Sequence, residues 1–207
     1  MTIKKVFLAV LLLISASVAM AADELLMKPF VLASKAPGAM EAKVASTKAA
    51  LIANGFTIAG TYSPYPNATI LIVTNDEMKS NAAASEHGAY GAAQRVAITK
   101  TKTDIQVSYT NPVYMANIYR MNGDLQNVAT KLETTLGKVE EFGMDRPMTV
   151  KKARKYHYMF GMEYFDEKSE LGEFASYEEA IAAVEAGLAA GKEGVTKISR
   201  IDIPGKK

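Results

Sequence analysis

Three side chains close together offer the sharpest chemistry in the chain: His157, Met159 and Met162 fall within six residues. Imidazole and thioether donors suit Cu(I), a soft ion that accepts few ligands. On a strand His157 and Met159 project from one face, and Met162 joins them only through a bulge, for which Gly161 is the natural place. Met144 and Met148, just upstream, offer further sulfur. The competing reading is packing. Tyr156, Tyr158, Phe160, Tyr164 and Phe165 share the segment, methionine fills gaps in such cores, and packing is the leading reading.

A second set is aromatic. Tyr109, Tyr114, Tyr156 and Tyr158, with Tyr119, come from elements adjacent in the expected order and can line an apolar pocket with hydroxyl tips inside. Such a pocket takes a small molecule or a planar haem, with His157 as an axial ligand. The rival is an aromatic core between sheet and helices, which again leads.

Other chemistries find little support. The chain has no cysteine, so disulfides, thiolate sites and covalent c-type haem are excluded. There are two histidines and no G-x-S-x-G turn, and Ser85-Glu86-His87 are sequence neighbours whose side chains diverge. Gly88-Ala89-Tyr90-Gly91-Ala92 lacks the phosphate-loop lysine and the dinucleotide glycine spacing, and reads as a flexible turn. Asp23-Glu24, Glu140-Glu141, Asp166-Glu167 and Glu178-Glu179 sit beside loops or helix starts, where acids are solvated or favour the helix dipole.

The elements that must position these groups follow from periodicity. Residues 28–34 form an expected strand. A helix opens at Ser34 and Pro37 with the stripe Met40, Val44, Thr47, Leu51 and stops at Asn54-Gly55. Strands at 56–62 and 68–74 flank the rigid turn 63–67, and Asn75-Asp76 caps a short helix ending near His87-Gly88. Residues 92–112 then read as a hairpin. Val96 and Ile98 frame its first strand, and Ile105, Val107 and Tyr109 alternate with Gln106, Ser108 and Thr110 in the second. Asn111-Pro112 starts a helix, with proline where its missing N–H costs nothing. Leu125, Val128, Leu132 and Leu136 draw another helical stripe closed by Gly137.

Residues 140–148 are expected to be a loop and the organisational boundary. Beyond it come a long aromatic strand at 153–166 and a helix with a Ser176/Glu179 capping box and a buried face of Ile181, Val184 and Leu188. A last strand at 196–203 has Ile198 and Ile201 in opposite parity, so a bulge or two-sided burial is expected there.

The N-terminus has the form of a cleaved signal peptide. Lys4 and Lys5 precede an apolar run, and Ala19-Met20-Ala21 is a small-x-small cleavage site, giving residues 1–21 as the signal and a periplasmic or secreted protein. The run is shorter than the roughly 20 residues a permanent span needs, and no lipobox cysteine is present, so no permanent membrane anchor is expected. Removing two lysines lowers Lys plus Arg from 24 to 22, equal to the 22 acids. A net charge near zero gives no footprint for nucleic acid.

The run GAAQRVAITKTKTDIQVSYTNPVYMANIYRM, after a glycine-ended helix and strands like FTIAG and ATILIVTN, resembles the bacterial domain-of-unknown-function 302 family, with Val107-Ser108-Tyr109-Thr110-Asn111-Pro112 as its second hairpin strand. The resemblance covers about residues 28–125. KYHYMFGMEYFD and SYEEAIAAVEAGLAA are similar to the C-terminal extension of secreted members. It implies a compact α+β sandwich, often a homodimer, with no established activity and no catalytic residue to transfer.

The expectation is therefore an α+β protein: an antiparallel sheet with helices on one side, in the order β-α-β-β-α-β-β-α, then a C-terminal β-α-β unit. Residues 22–140 form the first region and 141–207 the extension packed on it. A non-enzymatic binding or accessory role through the aromatic pocket or a partner surface leads, with a homodimer or a periplasmic protein as partner. Copper(I) or haem handling through His157, Met159 and Met162 is second, and an enzyme of unrecognised type third.

Overall fold

The structure, a computed structural model, describes residues 25–167 and 169–205; the expected signal peptide lies outside the described residues. In chain order the elements are β1 (Leu26–Met27), β2 (Phe30–Ala36), α1 (Met40–Ala53), β3 (Thr57–Tyr62), β4 (Ala68–Thr74), α2 (Asp76–Ala84), a 3-10 turn (Gly88–Gly91), β5 (Gln94–Lys100) and β6 (Ile105–Thr110). Then follow α3 (Pro112–Ile118), α4 (Gln126–Leu136), β7 (Glu140–Phe142), β8 (Met148–Thr149), α5 (Val150–Arg154), α6 (Tyr177–Ala189) and a second 3-10 turn (Lys192–Gly194).

The alternating hairpin is the centre of the sheet. Six antiparallel strands run in the order β3-β4-β5-β6-β2-β7, and β1 pairs with β8 in a separate ribbon. Val31 stands opposite Tyr109, Tyr109 opposite Val96 and Val96 opposite Leu71, so one apolar row crosses four strands on a single face. Paired residues share a face because side chains alternate with period two. Leu51 of α1, Met78 and Ala82 of α2, and Val128 and Leu132 of α4 belong to the same core. The fold is the expected two-layer α+β sandwich.

Side-chain caps explain where α2 and α3 begin, whereas α1 starts after Ala39 without one, and Ser34, expected to open it, lies within β2. Asn75 Oδ1 accepts from the Met78 N–H at 2.8 Å, and Asn111 Oδ1 accepts from the N–H groups of Val113 and Tyr114 at 3.1 and 3.4 Å. A smaller core of Met27, Val113 and Ala153 ties the β1/β8 ribbon and α5 to α3.

The C-terminal third differs from expectation. Residues 153–166 do not form a strand. Thr149 Oγ1 accepts from the Lys152 N–H at 3.2 Å and starts α5 instead, and the chain beyond Lys155 is irregular. Its aromatic content suggests burial, yet Tyr156, Tyr158 and Phe160 are exposed, and among the described residues no strand pairs with the segment. Residues 196–203 form a strap with no strand hydrogen bonding. Their mixed parity has a simple outcome: Ile203 is buried, Ile201 half-buried and Ile198 exposed. A Cβ built on Gly60 would stand 2.6 Å from the Ile198 carbonyl oxygen, so the strap crosses β3 where only glycine leaves room.

Of the expected C-terminal β-α-β unit, only the helix is present. Ser176 Oγ caps it by accepting from the Glu179 N–H at 3.1 Å, but Ile181 and Leu188 are only half-buried and Val184 is exposed. The expected loop at 140–148 contains β7 and leads into β8, because Phe30, Val31 and Leu32 of β2 offer a free edge for pairing.

Candidate functional site

The residues around one end of the hairpin line a partly open cavity of about 250 Å3. It is lined by Ile72 of β4, Tyr90 of the 3-10 turn, Arg95 of β5, Thr110 at the end of β6, and Met115 and Tyr119 at α3, with Ser199 and Ile201 of the strap closing it. Each lining group is placed by a local rule. Arg95 alternates with the core-facing Val96, so it falls on the opposite side of β5. Tyr119 follows the last residue of α3, and its N–H still bonds the Met115 carbonyl at 3.0 Å. Tyr90 rides on the short turn between α2 and β5.

The two tyrosine rings stack, with centres 5.2 Å apart and planes 25° from parallel. Phe165 meets both edge-on, at 6.1 Å from Tyr90 and 5.5 Å from Tyr119, and His87 meets Phe165 edge-on at 5.5 Å. Burial pushes the Tyr119 phenol up from its ordinary pKa, with Arg95 opposing in a smaller measure. Arg95 makes no ion pair among the described residues. Its neighbour Thr110 donates to Gln94 Oε1 at 2.5 Å and accepts from the Arg95 N–H at 3.0 Å, and Gln94 Nε2 is a fully buried donor without a partner among the described residues. No His, Asp or Glu lines this cavity among the described residues.

The sequence-based tyrosine set divides in two. Tyr109 lies in the main core, where its hydroxyl donates to the Gly137 carbonyl at 3.4 Å; burial raises its phenol first, and Glu133 and Glu141 raise it further. Tyr114, Tyr156 and Tyr158 do come together. Burial raises the Tyr114 phenol, the phenols of Tyr156 and Tyr158 add to this, and the latter two rings meet edge-on at 5.5 Å. Tyr158 also lies near Tyr119, so this trio adjoins the cavity's tyrosine wall.

The soft-donor set has a different geometry from a strand. The Met162 N–H bonds the Met159 carbonyl at 3.1 Å, closing a four-residue turn with Gly161 at φ 85°, the third position where a type II turn requires positive φ. Met159 and Met162 therefore stand at the two ends of one exposed turn. The His157 ring packs edge-on against Tyr164 at 4.4 Å. Among the described residues no group of three His, Cys, Asp or Glu side chains is gathered.

Sequence reasoning missed Tyr90, Arg95 and the strap. The one available signal for Arg95 was a cation near the start of a strand whose other charge, Lys100, stands at the far end. Tyr90 sat in a segment legible only as a turn.

Comparison with protein-family models, curated proteins and solved structures finds no match.

Proposed function

We propose that this protein is a non-enzymatic periplasmic binding protein that holds a small anionic, planar molecule in the cavity between Arg95 and the Tyr90–Tyr119 pair. The observation that carries the reading is a guanidinium, without an ion-pair partner among the described residues, that shares a partly open cleft with two stacked phenol rings. A carboxylate takes two parallel hydrogen bonds from such a fork, and a flat ring packs against the tyrosine faces. About 250 Å3 suits one ring-sized molecule. The leader-like residues 1–21 support export.

Calorimetric titration with benzoate, cyclohexanecarboxylate and benzylamine tests it. Benzoate should bind best and the amine not at all, and Arg95→Gln should weaken benzoate at least tenfold, since a charge-assisted bond is worth about 1.5–3 kcal/mol. Equal binding of acid and amine, or an unaffected Arg95→Gln variant, would refute it.

The second reading is Cu(I) or haem handling at His157. It is favoured by the Met159–Met162 turn, which holds two exposed thioethers close to His157 in the sequence. Competition with a coloured Cu(I) chelator under reducing conditions, and haem titration, each with His157→Ala as control, decide it: one-to-one binding lost in the variant supports the reading, and no binding removes it.

A further inference from the structure

A second region of the molecule combines cations with exposed apolar side chains in a way the cavity does not use. Between Asp145 and Glu163 the chain has no acidic residue, but it has five Lys and Arg. Ala153 and Val150 pin α5 to the small core, which fixes the helix while Lys151 and Lys152, with Lys155 just beyond its end, remain exposed. None of these lysines has an ion-pair partner among the described residues. Together with Tyr156 and His157 they line an open groove of about 820 Å3.

The chain then leaves the helix and makes the Met159–Met162 turn. Phe160 occupies its second position and is fully exposed, and Met159 and Met162 are 76% and 57% exposed. A large aromatic held fully in water at a turn apex forgoes the favourable burial of its ring, so the arrangement calls for something apolar to receive it. Phe160 is three residues from His157, so even a fully extended chain keeps it within about 11 Å of the groove. At the base of the projection stand Tyr156 and Tyr158, amphipathic rings of the kind that settle at headgroup level.

We infer that this element docks the protein peripherally on a bilayer surface bearing anionic lipid. Lys151, Lys152 and Lys155 take the lipid phosphates, and the Met159-Phe160-Met162 tip enters the acyl boundary. An anionic polymer would need the cations alone, whereas the single apolar finger beside them fits a two-layered partner, charged outside and apolar beneath. Among the described residues no helix is long and apolar enough to cross a membrane, and attachment of this kind requires none.

Cosedimentation of the purified protein with vesicles tests the inference. One set is phosphatidylcholine alone, and the other is equal parts phosphatidylcholine and phosphatidylglycerol. The protein should sediment with the anionic vesicles and not the neutral ones, less at high salt. Replacing all three lysines by Gln should lower the partition coefficient roughly a hundredfold, at about 1 kcal/mol for each cation. Phe160→Ser should lower it about tenfold or more while leaving the salt dependence in place. Both sets of positions are exposed, and unchanged circular dichroism and urea midpoints check that the variants are folded. Absence of binding to either vesicle overturns the inference, as does equal binding to both. Unaltered binding by Phe160→Ser, with heparin competing fully, would show a merely cationic surface and overturn it too.

Discussion

The Arg120 guanidinium carbon lies 4.9 Å from the centre of the Phe165 ring, and the same guanidinium is paired with Asp166. This contact docks the irregular segment after α5 against the tyrosine wall of the cavity. Arg120 does so from a left-handed backbone, φ 54°, which costs a non-glycine residue about 1 kcal/mol or more.

Two variants at this position separate the side chain from the backbone. Arg120→Ala and Arg120→Gly both lose the clamp, and both should show weakened tyrosine near-ultraviolet dichroism from a freed Phe165. Only the glycine recovers the backbone cost, so in urea it should be the more stable of the two by about 1 kcal/mol. Equal midpoints would mean that the conformation is not strained.

Acid should undo the same contact. The hydrogen bond from Arg120 holds the Asp166 carboxyl below its ordinary pKa. A group with a lowered folded value stabilises the fold fully above its unfolded pKa, near 4, and that contribution is lost as pH falls through the folded value. The near-ultraviolet signal of the aromatic cluster should therefore hold from neutrality to about pH 4 and decline below it. Asp166→Asn should show the loosened signal already at neutral pH, and a variant matching the parent at pH 7 would count against the clamp.

Gly88 is a sensitive point for the cavity, although it does not line it. A Cβ there would stand 2.2 Å from the Ala82 carbonyl oxygen, a backbone atom of α2 that cannot swing aside. Gly88→Ala should displace the turn carrying Tyr90 and cost about 1–3 kcal/mol. Benzoate affinity should fall along with the denaturation midpoint, and an unchanged affinity would show that the turn accommodates the methyl without moving Tyr90.

Asn111 joins three parts of the molecule. Its side-chain oxygen caps α3, its Nδ2 donates to the Lys28 carbonyl at 3.0 Å, and its N–H donates to the Pro29 carbonyl at 2.8 Å. Asn111→Ala should cost about 2 kcal/mol in urea, the sum of a lost cap and a lost hydrogen bond. Asn111→Asp keeps the cap but turns an acceptor toward Lys28, so it should recover only part of that loss; full recovery would limit the residue's role to capping.

Local sequence determined most of the first two thirds of this fold because most elements there carry their own signal; β1, which exists only as the partner of β8, does not. The hairpin's alternation, the Asn75 and Asn111 caps, the Leu125–Leu136 stripe and the glycine stops are short-range preferences that agree with the burial they need. The segment after Arg154 lacks that agreement. Its aromatic residues resemble a buried strand, but a strand forms only where another strand offers hydrogen bonds, and no composition reveals whether an edge is free. β7 is the converse case: Glu140–Phe142 has no strand signal of its own and pairs because β2 presents an edge. The cavity was hidden for the same reason. Tyr90, Arg95, Tyr119 and Ser199 meet through a sheet face, a turn, a helix end and a strap spread over 110 residues of chain. Only tertiary packing brings them together, because nothing local in any one of them depends on the others.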